Sequence, residues 1–256
     1  MLAPFLSSPQ TAGLFTDFDG TLSEIVRVPS EARPLAGVTN LLAELAGRYR
    51  AVVVVSGRSA TELLEWLGPN IEIWGTHGVE RTQGGEVVLS EQAAPFEQLI
   101  TDVAVEAAAR VDAAELDGVV VEDKRVVLGL HYRMAADRGS AQMELERIAR
   151  ELAERHGLVL VSGKASFELR PPIELSKRTV VEQRARQLEL SAACFIGDDL
   201  GDLPAFDALD ALDGGNMDTL RVAVDSDEAP DELLRRADLV LQGPVEVVEL
   251  LRTLAG

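Results

Sequence analysis

The chain has 256 residues, 46% hydrophobic and 26% charged, which suits one large domain or two modest ones with a real core and excludes a disordered chain. Its formal net charge of −19 argues against binding to nucleic acid or anionic membrane, both of which need basic patches. No run approaches the roughly 20 apolar residues that span a bilayer, and Met1 to Gln10 lacks the basic start and apolar centre of a signal peptide, so a cytoplasmic protein is expected. The single cysteine, Cys194, excludes an internal disulfide and lies in the apolar run Ala192 to Ile196, where it reads as a small core residue. Of the 24 basic residues only Lys124, Lys164 and Lys177 are lysines. An acidic protein can still bind a small anion where cations gather. Nothing in the sequence sets the oligomeric state, and a monomer is compatible with it.

In chain order, Gly13 to Phe18 is a short apolar run ending in Asp-Gly, the pattern of a buried strand entering a tight loop. From Pro34 to Tyr49, Leu35, Val38, Leu41, Leu42 and Leu45 fall on one helical stripe. Ala51 to Val55 reads as a strand, Ser59 to Leu67 as a helix and Ile71 to Gly75 as a third strand. This alternation implies a parallel sheet. Ligands of such sheets sit at the carboxyl ends of the strands, where Asp17, Ser56 and the Gly75 to Gly78 loop fall.

The middle of the chain has another rhythm. Gly84-Gly85 marks a hairpin turn, Pro95 to Arg110 a helix, Val119 to Val121 and Val126 to Tyr132 neighbouring strands, and Asp137 to His156 a second helix. Val159 to Ser162 and Ser166 to Arg170 complete a small α+β segment. Pro171-Pro172 suits a stiff return linker, and Ser90 to Pro95 the entry. The βα alternation resumes with helix Ser176 to Leu188, strand Ala193 to Gly197, helix Leu203 to Leu209 and strand Arg221 to Val224. Pro230 to Arg236, Leu239 to Leu241 and Pro244 to Leu254 finish the pattern. The expected division is a discontinuous α/β domain, residues 1–89 and 171–256, with an α+β domain, 90–170, inserted in it.

The strongest signal is Asp17-Phe18-Asp19-Gly20-Thr21 directly after the first strand. Asp-x-Asp-Gly-Thr arises by chance in roughly one window per 10⁵. A solvated turn with an Asx-type bond is the bland explanation. Chemically, carboxylates at i and i+2 can face one cleft, one as nucleophile and one as acid, while Gly20 lets the backbone approach a phosphate. Gly197-Asp198-Asp199-Leu200-Gly201-Asp202 gathers further acids at the same sheet edge. Asp202 also suits a helix cap, but acids brought near Asp17 repel, and a hard divalent ion with oxygen ligands relieves that repulsion. Ser56-Gly57-Arg58 is by itself a common turn after a strand, and Lys177 by itself a surface charge.

Taken in order, these pieces resemble the motifs of haloacid-dehalogenase-type phosphatases. The chain is similar to trehalose-6-phosphate phosphatases over nearly its full length, through Gly75-Thr76-His77-Gly78-Val79-Glu80, Val121-Glu122-Asp123-Lys124, His131-Tyr132-Arg133, and Gly163-Lys164 through Glu168-Leu169-Arg170-Pro171. The resemblance implies a Rossmann-like parallel-sheet core with an inserted α+β cap, and a Mg²⁺-dependent enzyme that hydrolyses trehalose 6-phosphate. It implies Asp17 as nucleophile, Asp19 as acid and base, and Ser56 and Lys177 as phosphoryl ligands. Mg²⁺ would be held by Asp17, the Asp19 carbonyl and Asp198, with Asp199 and Asp202 orienting those groups. Gly20, Thr21, Arg58, His77, Gly78 and Arg133 would contact substrate, and Glu122, Lys124 and Glu168 sugar hydroxyls. The role of His131 stays open. Two departures from the family pattern stand out, Gly201 and Leu203 in place of threonine and glutamate, and Arg178 where glycine is common. Sucrose phosphate or a glycosyl-phosphoglycerate are alternative substrates. A non-catalytic sugar-phosphate sensor is the alternative of another class, but it has no need for Asp17, Asp19 and Asp198 together.

Overall fold

Continuous apolar runs form the central strands because both faces of each are covered. In the computed structural model, which describes residues 1–26, 31–163, 165–213, 217–226 and 229–256, the chain divides into two compact units. One comprises Met1–Val88 with Leu175–Gly256, the other Leu89–Glu174. The first unit begins α1 (Ala3–Ser7), β1 (Ala12–Thr16), α2 (Val38–Arg48), β2 (Ala51–Val55), α3 (Ala60–Leu67), β3 (Glu72–Gly75), β4 (Glu80–Gln83) and β5 (Glu86–Leu89). The second holds α4 (Glu97–Ala113), β6 (Val120–Asp123), β7 (Leu128–His131), α5 (Arg138–His156), β8 (Val159–Gly163) and β9 (Ser166–Arg170). The first then resumes with α6 (Lys177–Gln187), β10 (Ala192–Gly197), α7 (Leu203–Asp213), β11 (Asp218–Asp225), α8 (Asp231–Arg236), β12 (Leu239–Gln242) and α9 (Pro244–Ala255).

In the first unit the strands run in the order β12-β11-β10-β1-β2-β3-β4-β5. The pairs from β12 to β3 are parallel, and β4 turns antiparallel to β3. Period-2 alternation sorts the side chains: Leu14, Val52, Val54, Cys194 and Ile196 pack on one face with α2, α3 and α9. Phe15, Val53, Val55, Ala193 and Phe195 pack on the other with α6, α7 and α8. The chain leaves β1 toward β2 on one side and returns through β10 on the other. Their carboxyl ends therefore flank the topological switch point, where such sheets bind ligands.

The sequence-based boundaries shift for identifiable reasons. Gly37 has φ +87°, so the helix expected from Pro34 starts at Val38 and leaves Leu35 outside it. Helix α4 continues past Arg110 because Val111 repeats the buried stripe of Ile100, Val103 and Ala107. Strand β6 lies at Val120–Asp123 and β7 at Leu128–His131, separated by a turn at which Arg125 takes φ +70°. The Gly84-Gly85 hairpin extends the large sheet. Cys194 is a buried free cysteine. No helix among the described residues is long and apolar enough to cross a membrane.

Candidate active site

Four adjacent parallel strands deliver the site. Asp17 follows β1, and its backbone N–H donates to the Ile196 carbonyl of β10 at 2.8 Å, which ties the first acid motif to the strand that delivers Asp198. Ser56 follows β2, and its carbonyl accepts from His77 N at 2.9 Å, which fixes the turn after β3. Asp17, Asp19, Ser56, Arg58, His77 and Lys177 line one cleft, with Gly57, Glu62, Asp199 and Gly201 completing its wall. Lys177 reaches it from the first turn of α6, whose N-cap Ser176 forms a reciprocal capping box with Thr179.

Charge is crowded around Asp17. Asp17, Asp198 and Asp202 are buried and offer carboxylate oxygens within 4.8 Å of one another. The buried Lys177 ammonium stands 3.0 Å from Asp17 Oδ2 and 2.6 Å from Asp202 Oδ1. Asp202 is fully engaged, because its Oδ2 also accepts from the backbone N–H of Asp198 at 2.9 Å and of Asp199 at 3.1 Å. Burial, reinforced by the neighbouring carboxylates, pushes Asp198 up to about 8, and burial with Asp17 pushes Asp202 up to about 7. Burial raises Asp17 as well, opposed by Lys177 and the Phe18 N–H. For Lys177, burial works against the charge, but Asp17 and Asp202 outweigh it and hold the ammonium above the ordinary lysine range. Three buried carboxyls with one ammonium, which pairs with Asp17 and Asp202, leave an excess of negative charge, and a hard cation with oxygen ligands fits a site beside Asp17 and Asp198.

The remaining motif residues take distinct places. Arg58 grips Asp19 with both arms, Nε to Oδ2 at 2.7 Å and Nη2 to Oδ1 at 2.8 Å, and donates through Nη1 to Glu62 at 3.1 Å. Glu62 is missing from the sequence-based candidates. Its signal was local, one turn after Arg58 with its N–H donating to the N-cap Ser59. Thr21 is fully buried, and its hydroxyl donates to Asp198 Oδ1 at 3.3 Å, so it steadies that acid and does not line the cleft. Gly20 has φ +68°, and a Cβ there would lie 2.0 Å from Asp198 Oδ2, so glycine lets the first acid loop close onto the second. Gly78 has φ +104° and backs onto Val180 of α6. The Thr21 side chain and the Cβ directions of Gly20 and Gly78 thus face the framework behind the cleft.

The second unit carries its own polar cluster. Its sheet runs β6-β7-β9-β8, and Gly129 pairs with Glu122 on one side and Glu168 on the other, so both acids project from one face. A Cβ on Gly129 would lie 2.8 Å from His131 Nε2 and 3.4 Å from Lys124 Cε. The missing side chain makes the room. Lys124 Nζ stands 3.3 Å from Glu168 and 3.6 Å from Glu122, and His131 Nε2 lies 3.0 Å from Glu122 Oε2. Burial of Glu168 favours its neutral form, but Arg170 and Lys124 outweigh that and hold the carboxyl below the usual range. The opposite face is apolar, with Leu128, Leu130, Phe167 and Leu169 buried against α4 and α5. Arg133 lies on the exposed turn after β7, and Lys164 of the Gly163-Lys164 motif lies outside the described residues.

Comparison with known proteins adds a second line of observation. A trehalose-phosphatase family model matches residues 15–238. The trehalose-phosphate phosphatase of Mycobacterium marinum is 35% identical over 262 residues, covering 98% of this chain and 63% of that relative. The chain therefore spans about three-fifths of that curated relative's length. Trehalose-6-phosphate phosphatase from Aspergillus fumigatus shares the fold at a TM-score of 0.66 and 24% identity, over 100% of this chain and 97% of that one. A haloacid dehalogenase-like hydrolase from Bacteroides thetaiotaomicron does so at 0.56 and 16%, over 94% and 98%.

Proposed function

We propose, because the chain belongs to the trehalose-phosphatase family, that it hydrolyses trehalose 6-phosphate through a covalent phospho-aspartate on Asp17. The observation that carries this reading is a buried carboxylate at the carboxyl end of a central strand, 3.0 Å from a buried lysine, with Asp19 and Ser56 in the same cleft. An Asp17 oxygen attacks phosphorus in line as the bond to the sugar oxygen breaks, and Asp19 supplies the proton that oxygen needs. Asp19 then takes a proton from water, which attacks the acyl phosphate and frees Asp17. The Lys177 ammonium neutralises charge on the equatorial oxygens and the Ser56 hydroxyl donates to them, a contribution worth roughly 10²–10³ in rate per donor. Residues 1–89 and 171–256 form the catalytic core in this reading, and 90–170 the cap. A phosphate-release screen over sugar phosphates, with and without Mg²⁺, tests it. Trehalose 6-phosphate should be preferred to sucrose 6-phosphate and glycosyl-phosphoglycerates, and equal rates on all of them would sink the substrate assignment.

The cation in this reading is Mg²⁺, held by Asp17, Asp198 and the Asp19 backbone carbonyl, with Asp199 and Asp202 orienting them. When bound, it neutralises the acid cluster and polarises the phosphoryl group. A stability test follows from the carboxyls. Asp198 and Asp202 have folded-state values near 8 and 7 against 3.8 as the ordinary value, so the folded metal-free chain binds protons that the unfolded chain has released. That stability is present below about pH 4 and is lost as pH rises through 7 to 8. A divalent cation replaces those protons. At a concentration about 100 times its Kd at pH 8.5, Mg²⁺ should raise Tm by about 5–10 °C at that pH, and the same concentration should raise it much less at pH 5.5, where protons hold the acids and weaken binding. Equal shifts in melts at the two pH values would remove these acids from the metal site.

The second unit's cluster is read as the grip on the distal sugar. Alanine at Glu122, Lys124 or Glu168 should each lower kcat/KM for trehalose 6-phosphate by roughly 10- to 150-fold, the worth of a hydrogen bond to a charged group. Because Lys124 lies within reach of both acids, the Glu122/Lys124 double change should cost less than the product of the single losses. Kinetics on p-nitrophenyl phosphate provide the control. That ester should be hydrolysed at nearly the original rate, and parallel losses on both esters would assign the cluster to folding.

A further inference from the structure

Asp19 and Arg58 come from different strand ends, and the contact between them defines what each is free to do. Both Asp19 oxygens are taken by the Arg58 fork at 2.7 and 2.8 Å. The guanidinium is the fixed partner. Its side chain is 10% exposed against 42% for Asp19; it lies 5.1 Å from the Trp66 ring centre and 5.7 Å from that of Phe18, and Glu62 holds a third N–H at 3.1 Å. Phe18 and Trp66 themselves pack at 5.3 Å, so one aromatic pair seats both the loop carrying Asp19 and the cation that grips it. Two ring faces and a second carboxylate fix a planar fork in a way no flexible ammonium can match.

We infer that Arg58 is a positioning residue that anchors Asp19 for its proton transfers, rather than the substrate contact that the resemblance implies. The inference rests on the reading of Asp19 as acid and base. With both oxygens on the fork, Asp19 cannot present a proton to a leaving oxygen. One oxygen must turn toward the substrate while the other keeps its bond to Arg58. The fork therefore limits the swing to a rotation about one retained bond. Without the anchor, this half-exposed side chain samples solvent-facing rotamers, and a misplacement of about 1 Å costs on the order of 10² in rate.

The test compares single-turnover phosphorylation in Arg58→Gln, Asp19→Asn and the double variant, using trehalose 6-phosphate and p-nitrophenyl phosphate. The sugar ester needs the proton and the nitrophenyl ester hardly does. Arg58→Gln should slow the sugar ester by roughly 10- to 100-fold with half-saturation changed less than about threefold. It should barely slow the nitrophenyl ester and should add nothing in the Asp19→Asn background. Weakened saturation and equal losses on both esters, persisting beside Asp19→Asn, would make Arg58 a phosphate ligand and overturn the inference. A lowered Tm with unchanged rates would reduce it to a structural role and overturn it equally. If Asp19→Asn alone slowed both esters alike, the acid reading would fall, a result separable from failure of the anchor. Should Arg58→Gln not fold, Arg58→Ala with added methylguanidinium replaces it. Recovery on the sugar ester alone supports the anchor, and no recovery in folded protein overturns it.

Discussion

Replacing Asp17 by asparagine is expected to lower kcat on trehalose 6-phosphate by roughly 10⁴- to 10⁶-fold, the scale seen when a nucleophile is removed from a site that otherwise stands. Asparagine keeps the volume and the backbone bond to Ile196 at 2.8 Å, but its amide oxygen is a far poorer nucleophile. The same change should not weaken the metal-free fold. Asp17, Asp198 and Asp202 crowd one ammonium, so losing one acid relieves repulsion, while Lys177 keeps Asp202 at 2.6 Å. Asp17→Asn in EDTA at pH 8 should therefore melt no lower than the parent protein and bind Mg²⁺ more weakly. Turnover within tenfold of the parent would remove Asp17 as nucleophile. A much lower melting temperature with normal Mg²⁺ binding would mean that the acid cluster is not under charge strain.

Much of this site was legible because its residues follow strands that declare themselves. Ala51 to Val55 and Ala192 to Ile196 are continuous apolar runs, which at this length between turn signals suit strands covered on both faces. The acids and Ser56 follow from where those runs stop. Contacts between distant segments could not be read. Nothing near Asp19 announces that Arg58, 39 residues on, takes both of its oxygens, because the pairing exists only once β1 and β2 lie side by side. Thr21 illustrates the converse. Its place in the motif implies a substrate contact and says nothing of the bond its hydroxyl makes to Asp198, 177 residues away. Strand β6 was misjudged at its end because only Val121 of Val120–Asp123 is even partly covered. An exposed edge strand need not carry the alternation that marks a half-buried one. The role of Gly129 likewise emerges only from cross-strand register, which places it between Glu122 and Glu168.

Lys177→Met should have the largest effect on stability as well as a large effect on rate. Methionine follows the path of the lysine stem and leaves the charges behind. Asp17 and Asp202 then lose a partner at 3.0 and 2.6 Å, and removing one member of a buried ion pair costs about 3–5 kcal/mol. For a chain of this size that is a fall in Tm of roughly 6–20 °C at pH 8. The pH dependence separates charge from packing. Asp17 and Asp202 are already raised by burial, and without the ammonium they rise further, so at pH 5 they take up protons and the penalty shrinks. The lysine itself contributes no slope there, since its folded value lies above 10.5 and it stays charged in folded and unfolded chains alike across that range. Mg²⁺ should recover part of the lost stability at pH 8, because it too compensates the acids. It should not restore turnover, which needs a donor on the equatorial phosphoryl oxygens and is expected to remain roughly 10²–10³ below the parent. Melting curves at pH 5 and 8, with and without Mg²⁺, together with kcat in the folded variant, test both halves. An equal fall in Tm at the two pH values would assign the loss to packing. Restored turnover with Mg²⁺ alone would take Lys177 out of the chemistry and leave it as the counter-ion of Asp17 and Asp202.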